Sequence, residues 1–278
     1  MGKGLSILVK GKNFSSGSIG KINIPFENVV DYYLSDVGAS IAYAEKLVAL
    51  LNSLSEQGVL DSLDIYPLLG NSITNKCIPL NSKYFKTLQV GNNASNGSEG
   101  IDFTNTVAAN ISSYETKNVG KFTNGYIFVN MKRNPLETLG QSILFKYKPV
   151  NGAIDNGFIG YSKYYPNSTT KVFTIVHSDI SPTSAVDCNG IFVSVSGSVQ
   201  NSVLKVLTNG VETSNSNFNN ESIENWEMNN VLGSDCLQPE SDYPNRASFS
   251  GTVRMFAIGY VPAEKVAAVD AAFRAYFA

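Results

Sequence analysis

Residues 249–278 read Phe-Ser-Gly-Thr-Val-Arg-Met-Phe-Ala-Ile-Gly-Tyr-Val-Pro-Ala-Glu-Lys-Val-Ala-Ala-Val-Asp-Ala-Ala-Phe-Arg-Ala-Tyr-Phe-Ala. Thr252–Tyr260 is an apolar, β-prone run of strand length. Pro262 suits the first turn of a helix, where its missing N–H costs nothing, and Glu264 suits the positive end of the helix dipole. Beyond them Val266, Val269, Phe273, Tyr276 and Phe277 recur at helical spacing and form one apolar stripe. A strand that feeds an amphipathic helix needs a body to lie against, and the rest of the chain predicts that body to be β.

Working back from that end, the texture is consistent. From Tyr84 onward short runs of β-branched and aromatic residues alternate with turn residues. Asn-Gly occurs at Asn96, Asn124, Asn151, Asn156, Asn189 and Asn209. This dipeptide favours two-residue hairpins, because both central positions of a type I′ turn need φ > 0. The expected strands are Gly125–Met131, Gln141–Lys148, Gly157–Tyr161, Lys171–His177, Gly190–Ser196, Val203–Thr208 and Thr252–Tyr260. Their spacing predicts a sandwich or jelly roll. No helical pattern separates them, which disfavours a parallel α/β sheet.

The first part of the chain differs. Leu5–Lys10 and Lys21–Ile24 read as short strands, and Asn28–Leu34 as a short helix. Ser40–Gln57 is the clearest helix: Ser40 is an N-cap, Ile41, Ala44, Leu47, Val48, Leu51 and Leu54 form a stripe, and Gly58 supplies the stop. Leu60–Leu63 is expected to add a helical turn. The organisation read from this is an N-terminal β-strand and helical segment over 1–83, then a jelly-roll domain over 84–278. Two surfaces could cover the helix stripe, the chain's own β body or a neighbouring chain. The expectation is that both helical regions pack near each other on one β domain and leave the opposite sheet face free for a ligand.

Composition bounds the function. Hydrophobic residues are 43% of 278 and supply a large core, while charged residues are 16%, so Ser, Thr, Asn and Gly must cover much of the surface. With a net charge of -2 and no run of Lys or Arg, nucleic-acid binding is not expected. No segment has the length and apolarity of a membrane span, and the N-terminus lacks the apolar core of a signal peptide. Cys77, Cys188 and Cys236 are odd in number and far apart, which predicts free thiols.

Two stretches carry a family likeness. Gly190–Thr213 contains Val-Leu-Lys-Val-Leu-Thr-Asn-Gly and resembles the strand–turn–strand–Asn-Gly–strand core of concanavalin A-like (laminin-G-like) jelly rolls, with Leu207 in the usual aromatic place. Asn245–Ala278 is similar to the last strand and following helix of such domains in tailed-phage virion proteins, with Val-Pro-Ala-Glu-Lys-Val-Ala-Ala at 261–268 taking the place of the helix start. Ile7–Ser15 and Ile65-Tyr66-Pro67 also look like proteins of phages of gut Bacteroidota, including crAss-like phages. The resemblance implies a virion structural protein, a head or tail fibre or appendage. It implies other virion proteins as partners, self-association as a trimer or dimer, and bacterial surface glycans as ligands. The fold class expected is therefore mainly β: a concanavalin A-like jelly-roll sandwich with an N-terminal helical insertion and a C-terminal amphipathic helix.

Catalytic chemistry is not expected. His177 is the only histidine, so no triad forms around it. Glu221, Glu224 and Glu227 lie at a spacing that suits one helix face or a solvated loop, not two carboxyls facing each other across a sugar. The binding candidates are Trp226, whose indole could stack on a sugar ring, with Asp242, Tyr243 and Asn245 from one polar loop and Tyr164 and Tyr165 from an aromatic cluster. That loop, residues 235–246, has oxygens enough for calcium, but a polar connection without an ion is the expectation, and no cofactor is expected. The function classes left open are a structural virion protein, a glycan binder and, third, a glycan-degrading enzyme.

Overall fold

The computed structural model describes residues 41–68, 89–90, 94–103, 111–113, 124–134, 141–149, 158–164, 171–177, 186–187, 190–200, 203–215, 228–232, 246–248 and 250–278. The protein is a mainly antiparallel β-sandwich of jelly-roll type with helices at both ends of the described chain. The expected strands Leu5–Lys10 and Lys21–Ile24, the helix Asn28–Leu34, the three cysteines and the Asn-Gly pairs at Asn151 and Asn156 lie outside the described residues.

The strand of the opening stretch is the centre of the first sheet. It spans Gly251–Tyr260 (β16) and is antiparallel along its length to β6, Asn124–Arg133. On its other edge it meets two short strands in tandem. Residues 251–253 pair with β4, Ile101–Phe103, and residues 255–259 pair with β1, Leu63–Pro67. Beyond β6 come β11, Val193–Gln200, β12, Val203–Thr208, and β13, Val211–Asn215, while β3, Ala94–Asn96, lies outside β4. Side chains on both faces of this strand are buried along most of its length, and this accounts for its largely apolar sequence.

Leu63 ends the expected extra helical turn one residue early. A 3₁₀ turn covers Leu60–Ser62, and the chain then extends into β1. Ser62 Oγ lies 2.7 Å from both Val59 O and Tyr260 O, tying the turn to the end of β16. The backbones meet so closely there that a Cβ on Gly259 would lie 2.0 Å from Ser62 O. Pro67 sits at the end of β1, where a missing donor is tolerated.

The second sheet runs β10 (Val186–Asp187), β9 (Lys171–His177), β8 (Phe158–Tyr164), β7 (Gln141–Pro149), β14 (Met228–Leu232), β5 (Ile111–Ser113) and β2 (Gln89–Val90). A short strand at Arg246–Ser248 (β15) joins β7 in parallel beside β14. The second sheet approaches the first where β9 comes against β11 and β12.

Two helices cover the outer face of the first sheet. The helix α1 spans Ile41–Glu56 and α2 spans Val266–Ala275, entered through a 3₁₀ turn at Ala263–Lys265. Leu47, Leu50, Leu51 and Leu54 of α1 and Val266, Val269, Phe273 and Tyr276 of the C-terminal segment form one buried cluster with Tyr126, Phe128, Met255 and Ala257. Phe128 and Phe273 stack with ring centroids 4.5 Å apart. The stop at Gly58 is a Schellman closure: Gly58, at φ 65°, donates to Ser55 O at 2.8 Å, and Val59 donates to Leu54 O at 3.0 Å. Lys265 Nζ donates to Gln57 O at 2.7 Å, so a cation from the start of α2 caps the negative end of α1.

The helices therefore pack side by side on their own β domain, as the stripes require. The expectation of a free opposite face is corrected. On β6 the residues that point away from the helices, Ile127, Val129 and Met131, are fully buried, and so are Val195, Val206 and Ile258 on the neighbouring strands. A sandwich uses that inner face for its own core.

Candidate functional site

Strand alternation divides the outer face of the first sheet. On β6, Tyr126, Phe128, Asn130 and Lys132 share the outer side. Tyr126 and Phe128 lie under the helices, whereas Lys132 belongs to a half-exposed patch at the strand's end. Beside it on β16 the register slips between Val253 and Met255. Thr252 is opposite Lys132 and Met255 is opposite Asn130, so Arg254 is the extra residue of a bulge. Bulges re-aim a side chain, and this one brings Arg254 to the outer side. Its guanidinium carbon stands 3.3 Å from the centroid of Phe192, the residue just before β11, and Lys132 Nζ is 4.5 Å from the same centroid.

Glu99, from the turn between β3 and β4, closes the patch. Its Oε1 accepts from Arg254 Nη2 at 2.9 Å and its Oε2 from Lys132 Nζ at 2.8 Å. The hydrogen bond from Lys132, supported by that from Arg254, holds the Glu99 carboxyl below its usual range. Its side chain is 47% exposed, against 24% for each cation. Asp102, opposite Thr252 on the same face, accepts from Thr252 Oγ1 at 2.6 Å. Asn130 Nδ2 donates to Ser194 Oγ at 3.0 Å, while Asn130 Oδ1 is buried with no hydrogen-bond partner. The patch thus offers two anchored cations, an aromatic ring and several hydrogen-bonding groups. Among the described residues no three His, Cys, Asp or Glu side chains gather as a metal site would need.

A second polar group is structural. Asp270 of α2 is fully buried, accepting from Ser196 Oγ at 2.7 Å and from Arg274 Nε at 2.7 Å. The hydroxyl of Tyr126 lies close by, buried and without a hydrogen bond of good geometry. Burial and the Asp270 charge push the Tyr126 phenol well above its ordinary value.

Of the residues singled out in the sequence, Tyr164 ends β8 opposite Lys171. Trp226, Asp242, Tyr243, Asn245 and Tyr165 lie outside the described residues, as do Glu221, Glu224 and Glu227. His177 ends β9 opposite Phe158. The Glu99, Lys132, Phe192 and Arg254 patch was not foreseen. Its one sequence signal is a charge inside an apolar strand, Arg254 between Val253 and Met255.

No family model matches the chain, and no curated protein matches its sequence. Among solved structures, it is similar to domain 4 of an extracellular arabinanase from Geobacillus stearothermophilus in complex with arabinotriose, at 16% identity and TM-score 0.48 over 75% of this chain and 98% of that one. It is similar to a Trypanosoma rangeli sialidase mutant displaying trans-sialidase activity, at 11% identity and TM-score 0.49 over 85% of this chain and 40% of that one. It is also similar to a heptameric pentraxin from Limulus polyphemus, at 13% identity and TM-score 0.39 over 72% of this chain and 74% of that one.

Proposed function

We propose that this chain is a non-enzymatic structural protein of a phage particle, a head or tail fibre or appendage, whose jelly roll binds glycans of the bacterial surface. The particle assignment is supported by the resemblance of Gly190–Thr213 and Asn245–Ala278 to jelly rolls of virion proteins. The observation that carries the binding role is the patch around Phe192. It is part-exposed, and it sets an aromatic ring among hydrogen-bonding groups held on or beside strands, as sugar recognition needs. The same patch argues against hydrolysis. Glycoside cleavage begins from a carboxyl kept protonated, whereas Glu99 is held ionised by Lys132 and Arg254.

The test is retention of the purified protein on immobilised surface polysaccharide of gut Bacteroidota, with released reducing ends assayed in parallel. Retention without sugar release, lost in Phe192→Ala, is the expected result. Sugar release would make the protein an enzyme, and the lack of retention on any polysaccharide would remove the binding role. Mass spectrometry of purified phage particles should find the chain among the virion proteins, and its absence from them would overturn the particle assignment.

A further inference from the structure

We propose that the patch recognises a carboxylate-bearing sugar, and that Glu99 is a built-in occupant which the sugar's carboxylate displaces. This rests on the glycan-binding reading and names the class of glycan. Lys132 Nζ and Arg254 Nη2 converge on the two oxygens of a single carboxylate, at 2.8 and 2.9 Å. A pair of cations so placed accepts a carboxylate in a defined orientation. The two cations are also the better anchored partners. Lys132 stands on β6 and Arg254 on β16, the two central strands, and the Phe192 ring fixes the Arg254 guanidinium from one side. Glu99 stands on the turn that closes the β3–β4 hairpin, where the Gly97 N–H donates to Gly100 O at 3.0 Å. Its carboxylate can swing out without breaking a strand pair.

Charge supports the exchange. Lys132 and Arg254 are balanced on this face by Glu99 and Asp102, and Asp102 is engaged by Thr252. A neutral sugar entering here would leave both ion pairs in place and gain little from the cations. A carboxylate-bearing sugar replaces Glu99 in kind, so the exposed pair, weak in water, is exchanged for one that comes with ring and hydroxyl contacts.

The experiment titrates the full-length chain with a galacturonic acid trimer and with the neutral galactose trimer, by calorimetry at low and at moderate salt. The acidic trimer should bind more tightly, and its affinity should fall as salt rises. Glu99→Gln should tighten it by roughly three- to tenfold, because the internal competitor is lost. Arg254→Gln should weaken it at least about tenfold. Thermal unfolding of each variant guards against misfolding. If Arg254→Gln unfolds, Lys132→Gln, on another strand, makes the same test. Equal binding of the two trimers in wild type and Glu99→Gln would overturn the carboxylate assignment while leaving glycan binding intact. Polysaccharide retention unchanged by both cation variants would move the site elsewhere. Loss of all retention in the wild type would overturn the glycan-binding reading itself.

Discussion

Asn209 and Gly210 form the turn between β12 and β13 with φ values of 49° and 85°, the left-handed pair a type I′ hairpin demands. Asn209 is also bonded sideways: its N–H donates to Ser194 O at 2.8 Å, and its Oδ1 accepts from Ser194 N at 3.0 Å. A Cβ on Gly210 would also push aside the Arg274 guanidinium, 2.7 Å away, but the φ of 85° is what requires glycine. Gly210→Ala should therefore cost about 1–2 kcal/mol in chemical denaturation, and an unchanged midpoint would contradict the turn geometry. Tyr126 gives a prediction of opposite sign. Its buried hydroxyl has no hydrogen bond of good geometry, so Tyr126→Phe should leave stability at neutral pH unchanged or slightly raised. The alkaline limb is more specific. The folded phenol titrates above its ordinary value of 10.0. Its contribution to stability is complete below that value and is lost as the pH rises from there toward the folded pKa. Tyr126→Phe should flatten the loss of stability above about pH 10, and parallel wild-type and variant curves would refute this.

Among the elements, α1 and α2 are held by one shared apolar layer and by polar clips at its rim. Leu51 is buried in that layer, so Leu51→Asp places an unpaired charge among Leu, Val and Phe side chains. The expected cost exceeds about 3 kcal/mol, read as a lower midpoint of thermal unfolding in the isolated protein. A variant that keeps its stability and loses only assembly would mean that a neighbouring chain covers the stripe. Asp270 is the polar fixture of the same layer. Asp270→Asn turns one of the two accepting oxygens into a donor and removes the charge opposite Arg274, so one of the two bonds is lost, and the variant should destabilise by about 2–4 kcal/mol. Replacing Asp270 and Arg274 together by apolar residues should recover much of that loss, because a buried pair is often no better than well-packed hydrocarbon.

Across the whole molecule, the order of the first sheet makes the C-terminal stretch its keystone. β16 joins β6 on one edge to β1 and β4 on the other, and the helix that follows it seals the outer face. A chain ended after Tyr260 would expose Phe128, Met255 and the α1 stripe to water. It should lose cooperative unfolding and bind a hydrophobic dye, whereas the full chain should not. The patch around Phe192 belongs to this scale as well, since it draws one residue each from the β3–β4 turn, β6, the entry to β11 and β16.

The sequence by itself determined the elements. The helix at Ile41–Glu56, its stop at Gly58, the strand at Val203–Thr208 with its Asn-Gly turn, and the terminal strand and helix were all legible, because each rests on residues within a few positions of one another. Periodicity and the φ demands of glycine and asparagine are local properties. Even so, the Asn124-Gly125 pair misleads: it lies within β6, where pairing with β11 and β16 outweighs the turn preference. Only the tertiary structure decided that Leu63–Pro67 completes the edge of β16, that Asp270 is a buried anchor rather than a surface acid, and that the inner sheet face is closed. It also decided the patch. Glu99 meets Lys132 across 33 residues and Arg254 across 155, and Arg254 reaches Phe192 through a bulge that no pattern of alternation contains. Contacts of that span are set by sheet order and register, which depend on the packing of the whole chain and leave no periodic trace in any one segment.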